Sequence, residues 1–145
     1  MERISGVEVV VNKKTAFDIR EFEEARRVRK NSPQKKVRVG AVLSKRGKIL
    51  SSGCNMLGSI TFRAKGYPAL TLPKHAEVMA VLHADPDDIK GSTIWVWREI
   101  NDGTPALARP CENRERACLS FLRLVGIARI VYTISKPPYF TEETL

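Results

Sequence analysis

The sequence predicts one three-layer α/β/α domain, 1–145, built on a mixed sheet of about five strands. Three observations carry that prediction. The elements legible in the chain run helix, strand, turn, strand, helix, strand, helix, strand, so a hairpin precedes strand-helix-strand crossovers. The candidate strands 37–43, 92–97 and 127–134 are rich in β-branched or aromatic residues. No repeat or low-complexity linker divides the 145 residues, a length that suits one domain and allows a sizeable core.

Residues 3–11 form a candidate leading strand whose partner nothing fixes. In 15–30, Phe17, Ile19, Phe22, Ala25 and Val28 make a narrow apolar stripe on an otherwise charged helix. Asn31-Ser32-Pro33 ends it. Residues 37–43 read as a strand, Lys45-Arg46-Gly47-Lys48 as a tight turn and 49–55 as the antiparallel partner. The stretch 56–74 has no period and carries Gly58, Gly66, Pro68 and Pro73; a loop of that length is usually functional or disordered, and this one is expected to wall the site it leads to.

Past Pro73, the mixed spacing of Val78, Met79, Val81 and Leu82 predicts a helix buried on most sides. Asp85-Pro86-Asp87-Asp88 stops it. In the strand 92–97, Trp95 and Trp97 share one face, as core packing under a helix rather than as stacking platforms for bases. A turn at 101–105 leads to a helix over 115–125, with apolar Ala117, Leu119, Phe121, Leu122 and Leu124 and Gly126 as its cap. The strand 127–134 closes a core spanning about 15–134, and 135–145 is expected to be a flexible tail.

Composition narrows the classes of function. No window approaches the roughly 20 apolar residues of a membrane helix, and Met1-Glu2-Arg3-Ile4 lacks the basic-then-apolar order of a signal peptide. The chain is therefore expected to be soluble and cytoplasmic, with no membrane partner. Cys54, Cys111 and Cys118 are an odd number and too few for a disulfide scaffold, which leaves reduced thiols available to a metal. A net charge of +9 attracts polyanions or steers a phosphorylated small substrate, without choosing between them. The basic run through Arg26, Arg27, Arg29 and Lys30 lacks the interleaved aromatics of single-strand readers and reads equally as a solvated face.

Chemistry concentrates in two stretches. At His75-Ala76-Glu77 an imidazole and a carboxylate stand two residues apart at a helix mouth, where free N–H groups and the helix dipole favour anions. Alone, the pair reads as well as a surface histidine and a capping acid. Cys111 and Cys118 add two thiolates, and one His with two Cys is a ligand set that catalytic zinc uses, its fourth position left to water. His83, about two turns beyond His75, is too far to join it.

On these residues the chain resembles the cytidine deaminase-like superfamily, particularly its deoxycytidylate and tRNA-adenosine deaminases, short phage-type members included. The resemblance covers roughly 37–133. Val39-Gly40-Ala41-Val42 and Gly53-Cys54-Asn55 are similar to the family's first hairpin. His75-Ala76-Glu77 matches its HAE motif, Arg109-Pro110-Cys111 its PC element, and Cys118 to Gly126-Ile127 its cysteine helix and final strand. The resemblance implies Zn2+ held by His75, Cys111 and Cys118, Glu77 as proton shuttle, Asn55 on the sugar or base, and a homo-oligomer.

One spacing departs from the family's PCxxC: six residues separate Cys111 from Cys118. A continuous helix would climb about 10.5 Å over that interval, whereas two sulfurs on one zinc lie at most about 4.6 Å apart. The spacing therefore predicts a bulge over 112–114 and regular helix from close to Glu115. In the ungapped register Glu115 takes the place of the first cysteine, so a His-Glu-Cys site stands as the alternative; Pro110 and the affinity of thiolate for zinc favour Cys111.

The implied reaction is hydrolytic deamination. A cytosine nucleotide such as dCMP suits a small pocket roofed by 56–74, with Arg63 or Lys65 meeting the phosphate. A polynucleotide editor acting on cytosine or adenine in single-stranded DNA or tRNA, its basic helix following phosphates, is the second reading. The third is a non-catalytic, zinc-stabilised binding module.

Overall fold

The computed structural model describes residues 2–145 apart from Ser5, Lys14, Lys35, 64–68, 101–102, 112–117 and Pro137. In chain order its elements are β1 (Glu2–Ile4), β2 (Val7–Val9), α1 (Arg20–Val28), β3 (Arg38–Lys45), β4 (Lys48–Cys54), β5 (Ser59–Phe62), β6 (Leu70–Pro73), α2 (Ala76–His83), the short α3 (Pro86–Ile89), β7 (Thr93–Glu99), β8 (Pro105–Ala106), α4 (Cys118–Leu124), β9 (Arg129–Thr133) and β10 (Phe140–Thr144). The main sheet is ordered β10-β9-β7-β3-β4, and the two-residue β8 pairs with β7. It is mixed, as predicted: β7 runs parallel to β9, and the other neighbours are antiparallel. The β3–β4 turn places both Arg46 (φ 53) and Gly47 (φ 77) in the left-handed region, the geometry of tight hairpins that match strand twist.

Alternation along the strands divides the core in two. Val42 on β3, Trp97 on β7 and Val131 on β9 face α1 through Phe22 and Ala25. Their neighbours Ala41, Leu43, Ile94, Val96, Ile130 and Tyr132 face the other way, toward α2 and α4. Helices on both faces make the three layers. Each large apolar side chain fully buried this way contributes about 1.5–3 kcal/mol.

Two glycines set how closely the helices approach. A Cβ on Gly40 would lie 1.8 Å from the Ala25 carbonyl oxygen of α1, and one on Gly53 would lie 2.5 Å from the Ala80 nitrogen of α2. Under α1, the Phe22 ring meets Trp95, Trp97 and Phe140 edge-on at centroid distances of 5.4, 5.9 and 5.3 Å. The tryptophans are thus core residues beneath a helix.

Three expectations need correction. Residues 3–11 are not one strand: Gly6, at φ 79, turns the chain between β1 and β2. The stretch 56–74 contains a hairpin, β5 on β6, held across its exposed face by the Thr61 and Thr71 hydroxyls at 3.2 Å. The expected tail from 135 instead returns as β10, antiparallel to β9 from Phe140–Thr133 to Thr144–Arg129, with Phe140 and Thr141 buried. The predicted bulge at 112–114 and helix start near Glu115 lie outside the described residues; helix is described from Cys118. Among the described residues no helix is long and apolar enough to cross a membrane.

Candidate active site

His75 owes its position to the junction of β6 and α2. Its N–H donates to the Pro73 carbonyl at 2.8 Å, its backbone is extended (φ −69, ψ 157), and its carbonyl accepts the Met79 N–H at 3.0 Å. It is therefore the residue before the first helical turn, and Glu77 stands within that turn, 5% exposed. Cys118 opens α4 and is fully buried. The Leu119 N–H donates to the Cys111 carbonyl at 2.9 Å, which holds the first cysteine beside the start of the described helix.

The expected three residues converge. His75 Nδ1 lies 3.0 Å from Cys118 Sγ and 3.8 Å from Cys111 Sγ, and the three ligand atoms all fall within 4.8 Å of one another. Tetrahedral zinc, with Zn–N about 2.0–2.1 Å and Zn–S about 2.3 Å, sets nitrogen and sulfur about 3.6 Å apart, between those two values. An N, S, S donor set fits that ion and leaves one vertex over. Among the described residues no other His, Cys, Asp or Glu joins the group. Glu115, the alternative ligand, lies outside the described residues. His83 is turned away, its Nδ1 on the Ser52 carbonyl at 2.8 Å.

The electrostatics before any metal binds are those of a shared proton system. Burial pushes the Glu77 carboxyl up to about 7 against the pull of His75. Cys111 is brought down to about 4 by the Cys118 thiol as hydrogen-bond donor and then by His75. Cys118 correspondingly keeps its proton, raised by its bond to Cys111 and by burial.

A cavity of about 360 Å3 opens on this group and is lined by His75, Glu77 and Cys111 together with Asn55, Arg98 and Arg109. A larger one, about 980 Å3, lies between the N-terminal hairpin and β10 and holds neither the imidazole nor the thiols. Asn55 reaches the smaller cavity with its amide anchored: Oδ1 accepts the Val39 N–H at 2.9 Å and Nδ2 donates to the Val37 carbonyl at 3.1 Å. Among the described residues nothing meets the other amide hydrogen and lone pair, which remain for a ligand. Arg63 is exposed beyond β5 and is not among the residues lining the cavity, so the expected phosphate contact has no support there. Lys65 lies outside the described residues.

Sequence reasoning assigned no role to the two arginines of the cavity wall. Arg109 makes a bidentate ion pair with Glu143 of β10, and Arg98 projects from β7 with no carboxylate partner among the described residues. Neither carries a local signal, because each depends on a strand distant in sequence.

Two thiols and an imidazole that can hold zinc, with a protonatable carboxyl beside them in an α/β/α domain, make a metal centre of the catalytic kind, with one vertex left over. The comparisons name the family. A family model described as the cytidine and deoxycytidylate deaminase zinc-binding region matches residues 16–134. None of the curated proteins matches the sequence. Among solved structures, the apo dCMP deaminase of cyanophage S-TIM5 is similar with a TM-score of 0.52 at 20% identity, over 80% of this chain and 81% of that one. A diaminohydroxyphosphoribosylaminopyrimidine deaminase/5-amino-6-(5-phosphoribosylamino)uracil reductase from Thermotoga maritima aligns with a TM-score of 0.51 at 25% identity, over 81% of this chain but only 29% of that one. The chain belongs to the cytidine and deoxycytidylate deaminase family, and it is a hydrolytic deaminase.

Proposed function

We propose that the protein deaminates a cytosine nucleotide of the dCMP type, converting it with water to the uracil nucleotide and ammonia. The observation that carries this reading is the placement of Glu77, buried beside the three metal-ligating atoms and on the wall of a cavity of about 360 Å3. That volume lies in the range of small-molecule pockets.

His75, Cys111 and Cys118 would hold the zinc. When bound, it supplies Lewis acidity that makes a water nucleophilic near neutral pH. Glu77 takes the proton released as the C4–O bond forms and delivers it to the ring nitrogen beside C4. It then assists protonation of the amino group as the C4–N bond breaks. Glu77 suits that role by position: it is buried beside the metal-ligating atoms and lines the cavity, within reach of both the attacking water and the base. Asn55, fixed to the β3 backbone, is positioned to orient the base or sugar with its remaining donor and acceptor.

The architecture favours a mononucleotide over a polynucleotide. The basic helix α1 covers the sheet face opposite α2, away from the cavity. Much of its charge is spent internally: Arg26 and Arg29 both pair with buried Glu99, and Arg27 pairs with Glu24.

The test is to incubate zinc-loaded protein with dCMP, cytidine, cytosine, single-stranded DNA and tRNA and to measure ammonia. The highest kcat/KM is expected with dCMP. Release from DNA or tRNA with none from dCMP would replace this reading by that of an editor.

A further inference from the structure

Two arginines line the reaction cavity, and they differ in what meets their charge. The Arg109 side chain is 4% exposed and is neutralised by Glu143 through two hydrogen bonds of 2.7 and 3.0 Å. Arg98 is half-buried, and among the described residues no carboxylate pairs with it. Among the described residues one of its five N–H donors finds a partner, Nη1 on the Leu107 carbonyl at 3.2 Å, and Nε, buried from water, has none. Desolvating a guanidinium without a counter-charge is unfavourable. Such a group is retained where an anion is to complete it.

The backbone that carries Arg98 is pre-positioned. The residue pairs with Val39 of β3 on one side and Ala106 of β8 on the other, and its N–H reaches the Thr133 hydroxyl at 3.4 Å. It shares a sheet face with Ile94 and Val96, the face that supports α2, so its side chain stands on the same wall as His75 and Glu77. A planar guanidinium with spare donors suits a phosphate monoester better than any neutral group.

We propose that Arg98 receives the phosphate of the substrate and thereby selects a nucleotide over a nucleoside. This rests on the cytosine-nucleotide reading above and gives it a residue. Base and phosphate then occupy two ends of one cavity: the amino-bearing carbon at Glu77 and the metal ligands, the phosphate at Arg98.

The test compares wild type, Arg98→Gln and Arg98→Lys, each checked for zinc content, with dCMP and deoxycytidine as substrates. Arg98→Gln is expected to lower the ratio of kcat/KM for dCMP over deoxycytidine at least tenfold, through KM for dCMP, and Arg98→Lys to recover part of it. Inorganic phosphate is expected to raise the Tm of wild type and not that of Arg98→Gln. An unchanged substrate ratio, or a phosphate shift retained in Arg98→Gln, overturns the proposal. Should wild type turn over no cytosine compound, the nucleotide reading fails by itself, and the phosphate-dependent Tm shift still decides for or against Arg98. Should Arg98→Gln lose its zinc, Arg98→Lys decides alone, an unchanged ratio counting against.

Discussion

Arg109 and Glu143 form a bidentate ion pair, Nε to Oε2 at 2.7 Å and Nη2 to Oε1 at 3.0 Å, that ties the segment bearing Cys111 to the last strand of the sheet. The Tyr132 hydroxyl donates to the same carboxylate at 2.6 Å. Removing the carboxylate of a buried ion pair forfeits its charge-assisted hydrogen bonds, a loss of up to about 3–5 kcal/mol. Glu143→Ala is therefore expected to lose stability on that scale in urea unfolding and, with Cys111 two residues from Arg109, to bind zinc more weakly. A variant with wild-type midpoint and zinc content would show the pair to be incidental.

The same pair makes a pH prediction. Burial alone would raise Glu143, but its hydrogen bonds from Arg109 and Tyr132 outweigh burial and hold it below the ordinary glutamate range. A depressed folded-state value means that the unfolded chain binds the proton more readily, so the stabilisation is complete above the unfolded value of about 4.3. It is lost as pH falls through the folded value. The stability gap between wild type and Glu143→Gln is expected to be constant near neutrality and to shrink on acidification; a gap that persists at acid pH would assign the effect to neutral hydrogen bonding.

Glu77→Gln keeps the shape of the side chain and removes its ability to carry a proton. Positioned acid-base groups contribute about 100- to 10,000-fold, and a loss of kcat in that range is expected while zinc stays bound. Turnover within a few-fold of wild type would take Glu77 out of the mechanism.

Stripping the metal should expose a reactive thiolate. Cys111, brought down to about 4, is ionised at neutral pH in the metal-free protein, whereas Cys118 and Cys54 are buried with their thiols raised. Chelated protein treated with iodoacetamide is expected to be alkylated at Cys111 first, and zinc to block it. Zinc at 100-fold over its Kd should also stabilise the fold by about 2.7 kcal/mol. Equal labelling of all three cysteines would contradict the arrangement.

The two close glycines separate stability from catalysis. Forcing a methyl into a packed contact costs about 1–3 kcal/mol or more, so Gly40→Ala and Gly53→Ala should both destabilise. Gly40→Ala displaces α1, on the face away from the cavity, and activity per folded molecule should persist. Gly53→Ala displaces α2, which carries Glu77 and follows His75, and kcat and zinc affinity should fall with stability.

Much of this was legible along the chain. β-branched runs announced β3, β7 and β9, the Phe22 stripe announced α1, and the His75, Cys111 and Cys118 set announced the metal centre. The rest was hidden where local preference and tertiary context disagree. β10 carries Glu142 and Glu143, which weaken a local strand signal; β9 supplies the ladder, and Arg129 and Arg109 meet the two charges. Arg98, between Trp97 and Glu99, reads as a surface residue until β7 is set beside the cavity.

β10 also matters for what it hides. β9, with Ile130, Val131 and Tyr132 buried, has β7 on one side and β10 on the other. A nonsense codon at Phe140 would spare every metal ligand and Glu77 yet leave that apolar strand as an open edge, the kind of surface that recruits other chains into aggregates. β10 in place covers that edge, bonded in turn to Asn12 at Phe140, and its exposed Glu142 sets a charge on the outer strand where bare β9 would offer unpaired backbone.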